Sequence, residues 1–138
     1  MPRKDLIHNP VKNALIKDGW TITHDPFGLD YGTEDLYLDL GAERILAAER
    51  GAERIAVEIK SFVGVSTITE LYSALGQYQV YLAILEAVEP DRKLYLAVSK
   101  TAYDVLTAMD TFTLIVKRYS VSLIVVRIAE EEIDQWKP

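Results

Sequence analysis

The stretch RIAVEIKSF, residues 54–62, places an acid and an amine where metal-dependent hydrolysis would need them. Aliphatic residues alternate there with Ala56, Glu58 and Lys60. Because successive side chains of a β-strand point to opposite faces, we expect one aliphatic core face and one face that carries Glu58 and Lys60. The two polar side chains would stand roughly 7 Å apart along the strand.

A second carboxylate is predicted on the preceding strand, LYLDL, where Asp39 alternates with a row of leucines. Carboxylates from two neighbouring strands supply the hard oxygen ligands that Mg²⁺ or Mn²⁺ prefers. Such a metal, held by Asp39 and Glu58, would polarise a phosphoryl oxygen and acidify its bound water. Lys60 would stabilise the charge that develops on phosphorus. The pattern therefore indicates phosphodiester hydrolysis, with Asp39, Glu58 and Lys60 as catalytic residues.

Two alternatives compete with this interpretation. Glu43 could replace Asp39, because a hairpin that turns at Arg50-Gly51 brings Glu43 closer in register to Glu58. Alternatively, Glu58 and Lys60 form a solvent-facing ion pair worth about 0–1 kcal/mol, and Asp39 simply ends a strand. We favour the metal site, with Asp39 as its first ligand.

The helix that follows carries a further candidate pair. Thr67 and Glu70 form a capping box, which predicts a helix through about Ala87. Gln77 and Tyr81 lie one turn apart on it. Gln77 would hydrogen-bond a phosphate or a metal-bound water as a catalytic residue, with Tyr81 stacking on or donating to the substrate; alternatively, both side chains only pack.

Other polar residues have weaker patterns. Lys12 on the first helix is either a phosphate contact or a solvated lysine. His8 and His24 are each expected to be structural, because no second histidine or patterned carboxylate accompanies either one.

The remaining elements follow from their breakers and periodicities. A first helix is predicted in NPVKNALIKDGW, either capped by Asn9 with Pro10 at its first position or begun near Lys4 and kinked at Pro10. Strands are predicted in WTITH, LYLDL, residues 54–60, LYLAV and SLIVVRI, and short helices in TAYDVLTAM and FTLIVKRY. EEEIDQWKP is predicted to be an acidic tail anchored by Ile133 and Trp136. This order predicts a mixed α/β fold.

Composition limits the class of protein. A chain of 138 residues with 49% hydrophobic content is expected to be one domain, residues 1–138. It has no cysteine, which excludes disulfides and zinc fingers. The net charge of −6 argues against a protein that coats DNA duplexes. We expect a soluble, cytoplasmic protein without membrane contact, because neither a secretory signal nor an apolar run of membrane length is present.

Four segments carry a resemblance to a known family. KDGWTITHDP, LYLDLGAERILAAERG, IAVEIKSF and ALGQYQVY, in that order, resemble the XisH family, the fdxN element excision controlling factors of cyanobacteria. The resemblance implies the PD-(D/E)xK nuclease-like superfamily. Its fold would be a restriction-endonuclease-like mixed sheet core (helix, three-strand meander, helix, strand) with added C-terminal helices and strand.

The resemblance also implies roles for residues. Asp39 is similar to the motif Asp, Glu58 and Lys60 to the Glu-x-Lys, and Gln77 and Tyr81 to a Gln-x-x-x-Tyr motif of some branches. An acid of the first helix has no counterpart here, since Asn9 stands at the nearest position, and no proline precedes Asp39.

Partners follow from the same resemblance: DNA, an XisI-like protein, a site-specific recombinase and a second copy in a homo-oligomer. Two hypotheses result. One is a Mg²⁺-dependent DNA endonuclease in developmental genome rearrangement and DNA recombination; the other is a noncatalytic adaptor that binds the partner protein or recombinase.

Overall fold

A computed structural model describes residues 6–25, 27–28, 30–31, 34–35, 45–62 and 67–138. These residues form four helices and eight strands, which confirms the mixed α/β class. In chain order the elements are α1 His8–Lys17, β1 Thr21–His24, β2 Asp30–Tyr31, β3 Glu34–Asp35, β4 Ile45–Arg50, β5 Glu53–Ile59, α2 Thr67–Val88, β6 Arg92–Ser99, α3 Lys100–Thr107, α4 Asp110–Tyr119, β7 Leu123–Arg127 and β8 Glu132–Lys137. The predicted strand LYLDL, with Asp39, and the competing Glu43 lie outside the described residues.

Six strands form one mixed sheet in the order β1-β4-β5-β6-β7-β8. The central strands β5, β6 and β7 are parallel, and antiparallel strands flank them on both sides. β2 and β3 pair separately. The β4–β5 hairpin turns at Gly51, whose φ of 60° is easily adopted by glycine. This confirms the hairpin that the sequence predicts at Arg50-Gly51.

Helices cover both faces of the sheet and divide the core into two clusters. On the face that we call the α2 face, alternate residues of β6 pack with α2, α3 and α4. On the opposite, α1 face, Ile55, Val57 and Ile59 of β5 pack with Val11 and Leu15 of α1. The predicted aliphatic face of β5 is therefore confirmed.

Helix α1 begins at His8, so Pro10 is its third residue rather than its first. Both predicted starts, at Asn9 and near Lys4, are wrong in this detail. The position is tolerated because the first four N–H groups of a helix have no intrahelical acceptor, so a proline there removes no hydrogen bond. The helix ends before Gly19, at the predicted stop.

The C-terminal segment EEEIDQWKP contains strand β8, Glu132–Lys137, which is antiparallel to β7 where the sequence predicts a tail. Ile133 and Trp136 anchor it on the α1 face, as predicted. The ring of Trp136 lies 5.7 Å from that of Trp20 and 5.1 Å from that of Tyr95. Aromatic contacts and the ladder with β7 thus outweigh the low strand propensity of the acidic residues.

Candidate active site

Glu58 lies in the middle of the sheet and is completely buried, at 0% exposure. Its Cα neighbours are Ile45 in β4 and Leu96 in β6. Since Val57 and Ile59 point to the α1 face, Glu58 points to the α2 face. A solvent-facing Glu58, the alternative that the sequence left open, is therefore wrong.

Tyr78 of α2 is buried within electrostatic reach of Glu58. Its hydroxyl donates to the carbonyl oxygen of Leu94 at 3.3 Å and accepts from the N–H of Ser122 at 3.1 Å, which ties α2 to β6 and to the start of β7. Burial raises the pKa of Tyr78; the hydrogen bonds with Ser122 oppose this, and the charge of Glu58 adds to the increase. Sequence reasoning missed Tyr78 because its role depends on the strands beneath it.

Lys60 follows the last residue of β5. Its N–H donates to the carbonyl oxygen of Ala97 at 3.1 Å, so the pairing with β6 continues to this residue. Lys60 therefore keeps the strand alternation and lies on the same side as Glu58, where it is half-buried. Strand alternation thus gives Glu58 and Lys60 a common side near the carboxyl end of a central strand.

The chain leaves β5 through a strained residue. Phe62 has a φ of 57°, a left-handed conformation that is unfavourable for a side chain with a ring. Its ring packs against the core of the α2 face. This packing fixes the direction in which the chain leaves Lys60.

A cavity of about 260 Å³ lies at the carboxyl ends of β5 and β6. Hydroxyl-bearing residues line much of it: Ser61, Thr67, Ser99 and Thr101. Ser99 caps α3 by accepting a hydrogen bond from the N–H of Ala102 at 3.0 Å. Ligands of open α/β sheets usually bind at this end of the strands. The described residues that line the cavity do not include Glu58, Lys60 or Gln77.

Gln77 and Tyr81 occupy different environments on α2. Tyr81 is 1% exposed and belongs to the core of the α2 face. Gln77 is half-buried, and its Oε1 is a buried acceptor with no hydrogen bond within the part of the chain that the structure describes. Tyr81 therefore packs, whereas Gln77 retains an available acceptor.

Lys12 belongs to α1, which packs on the opposite face of the sheet. Its Nζ lies 2.9 Å from Oδ2 of Asp25, and Nε2 of the buried His8 lies 2.9 Å from Oδ1 of the same carboxylate. Burial alone would raise the pKa of Asp25, but the contacts with Lys12 and His8 lower it below its usual value. Sequence reasoning missed this cluster, although the four-residue spacing of His8 and Lys12 places them on one helix face.

The oxygen donors near the end of β5 suit a hard cation. The carboxylate of Glu58 and the amide oxygen of Gln77 are of the type that Mg²⁺ or Mn²⁺ prefers. Among residues 6–25, 45–62 and 67–138, no three His, Asp or Glu side chains converge as metal ligands. The expected second carboxylate, Asp39 or Glu43, lies outside the described residues, which supply one carboxylate and one amide oxygen of the type that these metals take.

The fold and this site define a class: a mixed α/β protein with an acid and an amine on one face of a central strand. The model of the XisH family, described as XisH protein, matches residues 1–134. The chain therefore belongs to the XisH family, as the sequence motifs predict.

Two crystal structures are similar to the chain over nearly its whole length. One is an fdxN element excision controlling factor protein from Anabaena variabilis, 41% identical, with a TM-score of 0.88 and coverage of 96% of this chain and 98% of that chain. The other is an XisH family protein from Nostoc punctiforme PCC 73102, 38% identical, with a TM-score of 0.89 and coverage of 97% and 100%. No curated protein matches the chain. In the described residues, no helix is long and apolar enough to cross a bilayer.

Proposed function

We propose that this chain is a nuclease-like factor that acts in the excision of a DNA element and cleaves DNA as a Mg²⁺-dependent endonuclease. The observation that carries the proposal is the fully buried Glu58, followed by Lys60 on the same side of β5. The oxygens of a carboxylate are hard ligands of the kind that a divalent cation prefers, and an ammonium beside them suits a phosphate substrate. The relative from Anabaena variabilis, an excision controlling factor, supplies the biological setting.

Each residue has a distinct proposed role. Glu58 is a metal ligand, and Asp39 is the proposed second one. A bound Mg²⁺ or Mn²⁺ would supply Lewis-acid polarisation and a more acidic water. The ammonium of Lys60 stabilises negative charge on the phosphoryl group, and the amide of Gln77 orients a water or a phosphate oxygen. Lys12 is left out of the proposed chemistry, because its ammonium is bound to Asp25 on the opposite face of the sheet. Tyr81 is left out because its ring is part of the hydrophobic core of the α2 face.

The test is nicking of supercoiled and branched DNA with and without Mg²⁺. We expect Glu58→Ala to abolish cleavage and Lys60→Ala to slow it by about 10²–10³-fold, the usual loss on removal of a transition-state donor. Glu86→Ala, which removes an exposed acid of α2, is the matched control and should cleave normally. A wild-type protein that binds the metal but cuts no form of DNA would disprove the enzymatic proposal.

A second candidate is a noncatalytic adaptor that holds an XisI-like protein or a site-specific recombinase. It is favoured by the pairing of basic groups with acids: Lys12 with Asp25, Arg50 with Asp18, and Arg127 with Asp134. Paired cations contribute less to phosphate binding. Excision that survives Glu58→Ala, with partner pull-down intact, would favour the adaptor, whereas loss of excision with pull-down intact would favour chemistry.

A further inference from the structure

The outward surface of helix α2 is almost free of charge. Ten of its 22 residues are exposed, and Glu86 is the only charged residue among them. Helix α4 is a useful contrast, because its exposed residues include Asp110, Lys117 and Arg118. A surface helix normally has charged residues on the face that is exposed to water. A helix without such a face is usually buried by protein on all sides. The sheet covers only one side of α2.

An apolar stripe runs along this exposed surface. Tyr72, Gly76, Val80 and Ala83 follow one another at intervals of about one turn, so they share one side of the helix. Tyr72 is 60% exposed and Val80 is 44% exposed. The four residues span roughly 16 Å of helix, and we call them the α2 stripe.

No contact in the described part of the chain explains why residue 76 is a glycine. Glycine destabilises a helix interior relative to alanine. A Cβ added at Gly76 would meet no atom of the described residues within 4 Å, so their packing does not demand the missing side chain. The missing side chain would allow the backbone of another protein chain to approach α2 closely at Gly76.

We propose that the α2 stripe binds the same stripe of a second copy, with the two α2 helices antiparallel about a two-fold axis. Antiparallel packing sets Tyr72 of one copy against Ala83 of the other. It also sets Gly76 against Val80, so at both positions a large side chain faces a small one. A self-complementary surface is what a two-fold interface requires.

The absence of charge on the stripe allows a second copy to bind there. Each chain carries −6, so two copies repel unless they meet where charge is absent. The stripe provides such a surface. A standard protein–protein interface buries about 1,600 Å² of surface, and contact through a single helix buries less than that. We therefore expect a dimer that dissociates on dilution. This inference is independent of whether the chain cleaves DNA.

Sedimentation equilibrium of the full chain over a wide concentration range tests the proposal. We expect a monomer–dimer equilibrium, and Val80→Glu should raise the dissociation constant by about 30-fold or more, since each copy would bury an unpaired charge. Leu114→Glu, at an exposed apolar position of α4, should leave it unchanged. A wild type that stays monomeric, or a dimer that tolerates Val80→Glu, would overturn the proposal.

Engineered cysteines test the arrangement of the helices. The chain has no native cysteine, so a Gly76→Cys, Val80→Cys double variant introduces the only thiols. The antiparallel arrangement predicts a covalent dimer on mild oxidation, because each new thiol faces the other position of the second copy. A Leu114→Cys variant should remain monomeric. Cross-linking of this control with equal efficiency would show random collision and contradict the arrangement.

Discussion

Along strand β5, the residues that point to the α1 face and those that point to the α2 face are buried to a similar degree, but their chemistry differs. Ile55, Val57 and Ile59 meet α1 as a purely aliphatic row, which hydrophobic burial fully explains. On the α2 face the same strand carries Glu58, whose burial opposes folding unless its charge is compensated. A carboxylate in the interior of a strand whose other face is purely aliphatic therefore marks a candidate site.

The α1 face also has a polar group, the cluster of His8, Lys12 and Asp25. Here the ammonium of Lys12 and the imidazole of His8, both in α1, contact one carboxylate that follows β1. Because these contacts join two elements of the chain, the cluster is a structural tie. The two faces therefore make separable predictions: changes on the α1 face should alter stability, and changes around Glu58 should alter function.

The largest effect on stability is expected on the aliphatic row. Ile59→Ala should lower the free energy of unfolding by about 2–5 kcal/mol, because it leaves a cavity in a fully buried position. Urea denaturation measures this loss. Val105→Ala, at an exposed position of α3, should change stability by about 0.5 kcal/mol or less. Loss of metal binding by folded Ile59→Ala protein would break the separation of the two faces.

A smaller loss is expected for Tyr78→Phe. The substitution keeps the ring but removes the hydroxyl that pairs with Ser122 and Leu94, at a cost of about 1–3 kcal/mol for the buried groups left behind. Tyr72→Phe, which removes an exposed hydroxyl of the same helix, is the matched control in chemical denaturation. Equal stability of the two variants would mean that the hydroxyl of Tyr78 does not hold α2 on the sheet.

The smallest loss of stability, which should depend on pH, is expected at the cluster of His8, Lys12 and Asp25. Asp25→Asn should cost about 1–2 kcal/mol at neutral pH, because the carboxylate loses its ion pair with Lys12 and its contact with His8. Because the pKa of Asp25 is lowered in the folded chain, the stabilisation is present above 3.8 and is lost as the pH falls through the lower folded value. Thermal unfolding of both proteins from pH 7 to pH 2 should show the difference vanish. A difference that persists at low pH would contradict the ion pair.

Much of the fold could be predicted because local signals agree with tertiary structure. The two-residue alternation of residues 54–60 assigns both faces of β5, and Gly51 marks the hairpin turn. The prediction failed at residues 130–138, where consecutive acids indicate a tail. A strand forms there because Trp136 finds Trp20 and Tyr95, a long-range contact that no local pattern reveals.

The candidate site could be predicted only in part. The two-residue alternation of a strand was sufficient to predict that Glu58 and Lys60 share one side. Helical spacing predicts only that Gln77 and Tyr81 share one side of α2, and it does not predict which of them is buried. The sheet beneath α2 separates them, since it covers Tyr81 and leaves the amide oxygen of Gln77 as an open acceptor within the described residues. Which helix residues meet a sheet depends on how the helix lies across it, and spacing alone does not give that orientation.

The most direct test of the account is a Mn²⁺ titration of the purified protein, followed by electron paramagnetic resonance of the free ion. We expect the wild type and Asp25→Asn to bind Mn²⁺ equally and Glu58→Gln to bind it at least about 100-fold more weakly. Loss of a residue that only orients a metal ligand already lowers the affinity by about 10–100-fold, and loss of a ligand should cost at least as much. Equal affinity of Glu58→Gln and the wild type would contradict the account, because the buried carboxylate would then have no part in holding a metal.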